Sequence, residues 1–252
     1  MSVLDNPPLI EAMFDIKWGH VDSTKFEFHP QEEQILTGLI ASLLQDKGFT
    51  LIEDISNGHR LPHQVTSRFR TEEGKWPCYQ SGLGVFTVNQ ITDGYNWEDF
   101  RTSIENALKA LSNKLVLDMI QHRKNTKLTL RYQDAFYPEG ITTEEYIEQY
   151  FNFSSTLPKD FYTKYTENNK YDKLNLQYSI PLADKNGYLT ILCANAIIMD
   201  KPGILIDFAV EINLNNITES FSVKEIMIWL ESAHDIHRHA FTKLIKKEAY
   251  VN

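Results

Sequence analysis

The sequence predicts an α+β fold in which two antiparallel-sheet halves, residues 1–125 and 126–252, each pack a long helix in an apparent duplication of the saddle or helix-grip kind. Three observations lead there. Apolar residues alternate with polar ones over several short stretches, which is the period of a half-buried strand. Each half closes on a long stripe of apolar residues at helical spacing. The order strand, helix, several strands, long helix occurs twice, once on each side of residue 125. The two halves are expected to form one compact unit.

In the first half, Pro7-Pro8 leads into Leu9 to Trp18. There Ile10, Ala12, Phe14, Ile16 and Trp18 share one parity and Glu11, Asp15 and Lys17 the other, so a strand with one apolar face is expected. Pro30 suits a first helical residue, and Ile35, Leu36, Leu39, Ile40, Leu43 and Leu44 follow at helical spacing until Gly48. Leu51–Ile55, Gln64–Phe69, Cys78–Gln80 and Leu83–Val88 are β-rich runs separated by glycine and proline, as in an antiparallel meander. Asn96, with Asp99 three residues on, caps a helix whose stripe of Phe100, Ile104, Ala107, Leu108, Leu111 and Leu115 runs to about Gln121.

The second half opens with the strand Leu128–Tyr132. Thr142 and Glu145 have capping-box spacing ahead of Tyr146, Ile147 and Tyr150. Phe153 to Tyr171, with Pro158 and Asn168-Asn169, is the least patterned stretch and is expected to be an exposed loop. Leu174–Ile180, Tyr188–Met199 and Ile204–Ile212 are strand candidates, the first two joined by a turn at Asp184-Lys185-Asn186-Gly187. Ser222 and Glu225 make a second capping box for a helix that carries Ile226, Trp229, Leu230, Ala233, Ala240, Phe241, Leu244 and Ile245 on one stripe.

Composition bounds the function classes. The chain of 252 residues is 42% hydrophobic and 12% aromatic, ample for a core. No stretch approaches the roughly 18 to 20 apolar residues of a membrane-spanning helix, and the start at Met1 lacks a basic region followed by an apolar run. A cytoplasmic protein without membrane contact is expected. Cys78 and Cys193 are too few for a disulfide framework or a thiolate metal cage and read as buried thiols. The net charge of −9 is spread evenly, 17 acidic against 12 basic residues up to Thr126 and 17 against 13 after it. Neither half has the cationic surplus that releases counterions from phosphates, which argues against nucleic acid as a partner. The basic run His122-Arg123-Lys124-Asn125-Thr126-Lys127 suits a helix C-terminus.

Few residues are candidates for chemistry. Ala233-His234-Asp235-Ile236-His237-Arg238-His239 puts three histidines in six residues of the last helix. At 100° per residue His237 falls at the centre of the apolar stripe and His234 at its edge, with Asp235 and His239 pointing away. A His234/His237 pair could share a metal, but zinc needs a third ligand and the spacing is not that of a metalloprotease helix. The alternative is two imidazoles hydrogen-bonded inside a sheet–helix interface. Glu11, Asp15 and Lys17 on one strand face faintly resemble the carboxylate-and-lysine signature of metal-dependent nucleases; alternating charges on an open strand face produce the same string. Asp207 and Glu211 share a face and are expected to meet solvent or line a sheet groove. Arg131 and Tyr132 with Asp134 suggest a buried polar cluster, an anion-binding point or a salt bridge. Trp97, directly after the cap, is a packing anchor or a stacking platform. No phosphate loop or nucleophile elbow is present: Gly74-Lys75 lacks its upstream glycine and Ser81-Gly82-Leu83-Gly84 has the wrong order.

Pro7-Pro8-Leu9-Ile10-Glu11-Ala12, Gln80 to Asn89 followed by Tyr95-Asn96-Trp97-Glu98-Asp99-Phe100, Leu130-Arg131-Tyr132, and Ala233-His234 with Phe241 occur in this order over nearly the whole chain. In that set the sequence resembles a sporadically distributed bacterial family of about 250 residues with no established activity. The resemblance implies an Asn where this chain has Asp134. It also implies membership of mobile or defence-associated gene neighbourhoods, and hence an interaction or regulatory role.

The expected function is a non-enzymatic binding or assembly module without cofactor, recognising a protein partner or a small ligand. Its fourteen Phe, twelve Tyr and four Trp supply contact surface as well as core. A homo-oligomer is compatible with this reading. The competing expectation is a metal-dependent hydrolase or nuclease built on His234 and His237 or on Asp15 and Lys17.

Overall fold

The computed structural model describes residues 8–19, 21–22, 25–26, 30–59, 61–121, 125–154, 173–183, 187–218 and 220–250. Pro7, the run His122 to Lys124, most of the expected loop from Phe153 to Tyr171 and the turn Asp184 to Asn186 lie outside the described residues.

Nine strands form one antiparallel sheet. Alternation in the first segment gives β1 (Leu9–Lys17), whose Ala12, Phe14 and Ile16 are fully buried. The short pair β2 (Val21–Asp22) and β3 (Lys25–Phe26) stands apart as a two-stranded sheet. The expected meander is β4 (Leu51–Asp54), β5 (Val65–Arg70), β6 (Cys78–Gly82) and β7 (Val85–Ile91). The second half supplies β8 (Lys127–Phe136), β9 (Asn175–Pro181), β10 (Tyr188–Ile198) and β11 (Lys201–Asn213). The order across the sheet is β4-β5-β6-β7-β1-β8-β11-β10-β9. The first strand of each half therefore lies at the centre, beside the last strand of its own half, and β1 pairs with β8 to make the halves one sheet rather than two.

Five helices are described: α1 (Pro30–Gln45), α2 (Trp97–Leu111), α3 (Lys114–Gln121), α4 (Thr143–Tyr150) and α5 (Val223–Leu244). Their apolar stripes meet the face of Phe14, Phe86, Leu130 and Phe208, where the core lies. Burying each such side chain contributes about 1.5 to 3 kcal/mol. Polar contacts between helix and sheet fall on the same face: Thr37 of α1 bonds Ser81, Tyr79 donates to the Ser103 carbonyl of α2, and Asn195 donates to Thr143 of α4.

Several boundaries differ from expectation, and two of them have a local cause. The helix predicted to run to Gln121 breaks at Ser112-Asn113. The Ser112 N–H still reaches the Leu108 carbonyl, but the Asn113 side chain accepts the Leu115 N–H at 3.0 Å and so starts α3 afresh. Ser and Asn compete with the helix for their neighbours' backbone groups, and here the competition wins. The strand expected to extend through Met199 ends at Ile198. Met199 (φ 48°) and Asp200 (φ 63°) form the two-residue loop that lets Ile198 pair with Lys201. The long flanking register imposes a left-handed conformation that neither residue would choose alone.

Candidate functional site

The alternation of the central strands sorts the candidate residues onto two faces. Asp15 and Lys17 of β1, Arg131 of β8 and Asp207 of β11 lie on the face away from the core; Tyr132, Trp97, His234 and His237 meet on the helix-covered face.

On the first face, ion pairs and polar contacts occur on four strands, β7, β1, β8 and β11. Arg131 Nε donates to both oxygens of Asp207, at 2.9 and 2.7 Å, and its Nη2 closes a fork on Oδ2. Gln133 Nε2 donates to the same carboxylate at 3.0 Å. Lys127 pairs with Glu211 at 2.8 Å, and Lys17 lies 3.8 Å from Asp15. Asn89 Nδ2 of β7 donates to Glu11 at 2.7 Å and its own oxygen accepts from Thr87. Asp207 is 4% exposed and Asp15 7%, while the Arg131 and Lys17 side chains are 37% and 38% exposed. The carboxylates thus sit low in the sheet and the cations lie over them toward solvent. Burial raises the Asp15 pKa, with Lys17 and Arg131 pulling it back. The Asp207 hydrogen bond raises that of Arg131. The expectation that Asp207 meets solvent is corrected: Arg131 and Gln133 cover it. Nor does Arg131 cluster with Tyr132 and Asp134, because odd and even residues of β8 face opposite ways.

On the second face, α2 and α5 close over β8. Trp97 stacks on His234 (centroids 3.8 Å, 5° between planes) and Tyr132 stacks on His237 (3.8 Å, 12°). Tyr95 donates its hydroxyl hydrogen to the Tyr132 oxygen at 3.1 Å, which leaves the Tyr132 hydrogen to reach His234 Nδ1 at 2.9 Å. Burial lowers the His234 pKa to about 4, so the ring is neutral, and accepting at Nδ1 puts its hydrogen on Nε2. Glu231 of α5 accepts from Trp97 Nε1 at 3.3 Å and pairs with Arg101 of α2. Hydrogen bonding inside the sheet–helix interface thus holds for His234. It fails for His237: the residue is partly exposed, yet both ring nitrogens are shut off from solvent without a partner, and burial lowers its pKa to about 3. His239 is exposed, as expected.

Asp134 stands on this apolar side, 3% exposed, with Oδ2 unpartnered; burial first, and Asp207 second, raise its pKa to about 8. Burial also lifts the Cys78 thiol to about 11 and the Cys193 thiol to about 12, so neither is a thiolate at neutral pH.

The structure thus brings Asp15, Lys17, Arg131 and Asp207 together, and separately Trp97, Tyr132, His234 and His237. Among the described residues no three His, Cys, Asp or Glu side chains converge as a metal would require. Sequence reading missed Asn89, Gln133 and Tyr95. The parity of Thr87 and Asn89 against Phe86 and Val88 signalled the first, but which strand they would face depended on pairing between residues 78 positions apart. No family model matches the chain, and no curated protein or solved structure matches it either.

Proposed function

We propose that the chain is a binding or assembly module that receives a protein partner on the sheet face opposite the five described helices, with Arg131, Lys17, Asp207 and Asp15 as the contact set. The observation that carries this reading is the pairing of Arg131 with Asp207 and of Lys17 with Asp15 on the central strands, with the cations above the carboxylates. A partner that desolvates this face meets charges that are already paired, which lowers the cost of burying them. Exposed cations above recessed carboxylates suit a surface that is acidic overall but carries polar donors of its own. The mirrored strand order around β1 and β8 supports, in the same reading, an origin by duplication. The family resemblance directs the search for the partner to mobile or defence-associated neighbours.

A photo-crosslinking residue at Met13, between Glu11 and Asp15, is expected to trap one discrete species in the native host. The same probe at Ile228, 58% exposed on α5, should trap none. Arg131→Ala with Lys17→Ala should abolish the Met13 product while the protein remains folded. Equal trapping from both positions, or survival of the product in the double variant, would refute the assignment.

A metal-dependent hydrolase or nuclease is the competing reading. It finds less support, because Tyr132 occupies His234 Nδ1 and the nitrogens of His237 are enclosed.

A further inference from the structure

We infer that a cavity at the ends of the central strands, remote in function from the charged sheet face, binds a small organic cation. The cavity measures about 830 Å³, within the range of small-molecule sites. It opens where β7 and β8 run out beneath α4 and the C-terminal 3₁₀ turn Lys247–Ala249. Its lining is unusual in composition. Phe136, Tyr137, Tyr146, Tyr150 and Tyr250 contribute five aromatic rings, of which Phe136 and Tyr146 are 2% and 8% exposed. Tyr146 and Tyr150 lie with centroids 4.6 Å apart at 44°, presenting faces at an angle rather than a flat wall. Asp93, Glu139 and Glu248 add three exposed carboxylates, and among the described residues no Lys, Arg or His belongs to the lining.

Each component selects the same ligand chemistry. Aromatic faces carry a negative quadrupole that attracts an ammonium or guanidinium group, most strongly where water is thin. The carboxylates contribute long-range attraction to cations and repel anions. The Tyr146 hydroxyl already points to the Ala249 carbonyl, at 3.5 Å, so this residue offers its ring. A neutral apolar molecule would leave the carboxylates unused, and an anion would oppose all three.

Calorimetric titration of the full chain with choline and with spermidine tests the inference, against 3,3-dimethylbutan-1-ol as the neutral isostere of choline, succinate as an anion and maltose as a neutral sugar. Saturable binding of at least one cation is expected, about tenfold or more tighter than that of the neutral isostere. Choline alone would identify a quaternary-ammonium cage, spermidine alone a polyamine site. Glu139→Gln with Glu248→Gln, both exposed positions, should weaken the cation about tenfold with unchanged circular dichroism, and Tyr150→Ala should weaken it further. No saturable heat from either cation up to about 10 mM, equal affinity for the isostere, or preferential binding of succinate or maltose would overturn the inference.

Discussion

Asp134 shows how one carboxyl can set a protein's response to pH. Its pKa is about 8 in the fold and 3.8 ordinarily, and the cause is burial on the apolar side of β8. Between those values the folded chain holds a proton that the unfolded chain has released. The stability this group contributes is therefore complete below about pH 4 and is lost as pH rises toward 8. Asp134→Asn keeps the shape and removes the ionisation; it should raise the melting temperature at pH 8 and leave it nearly unchanged at pH 4. The histidines work in the opposite direction. His234 and His237 stay neutral in the fold down to about pH 4 and 3, whereas in the unfolded chain they protonate near 6.5. Their contribution is present above about pH 6.5 and fades as pH falls toward those lower values. His237→Phe preserves stacking on Tyr132 and removes two unpartnered nitrogens. Denaturant melts should show the variant more stable than the parent at pH 5, with a smaller difference at pH 8. A greater loss at pH 8 than at pH 5 would mean that His237 has a partner in solution.

At the scale of elements, close approach and capping decide what each segment tolerates. Gly82 of β6 lies against the neighbouring strand's approach: a Cβ there would stand 1.9 Å from the Gln64 carbonyl oxygen. That atom is backbone, so Gly82→Ala must displace the strand, and the substitution should cost several times the ordinary Gly-to-Ala difference of about 1 kcal/mol. Equilibrium unfolding in urea measures it. The sequence marks Gly82 as a glycine between β runs but does not show what approaches it. The caps were more legible. Asn96 accepts the Asp99 N–H, and Thr142 and Glu145 complete a reciprocal box. Ser222 accepts the Glu225 N–H at 3.4 Å. Such caps depend on residues three positions apart, which is why a one-dimensional reading finds them. Thr142→Ala should destabilise by about 1 kcal/mol.

At the scale of the molecule, β1 and β8 form the seam. Each half alone would leave a central, apolar strand edge bare, and such an edge invites pairing with other chains. Residues 1–125 and 126–252 expressed separately should aggregate, and co-expressed they should assemble into a soluble pair whose circular dichroism matches the intact chain. Two soluble, monomeric halves would show that the seam is dispensable. Among the described residues no helix is long and apolar enough to cross a membrane.

The elements themselves were written in local patterns: the alternation of Ala12, Phe14 and Ile16, the stripe of Ile226, Trp229, Leu230 and Ala233, and the caps at Asn96, Thr142 and Ser222. These depend on periods and on neighbours within one turn, so sequence alone determined them, and it placed Asp15, Lys17 and Asp207 opposite the apolar face of their strands. It could not determine that Arg131 forks onto Asp207, 76 residues away, or that Tyr132 on the reverse side bonds His234, 102 residues away. Adjacent residues of β8 part company because a strand alternates its faces; whom each one meets depends on strand order. Order and register result from burying two apolar surfaces together, a choice made by the whole chain, and only the tertiary structure decided it.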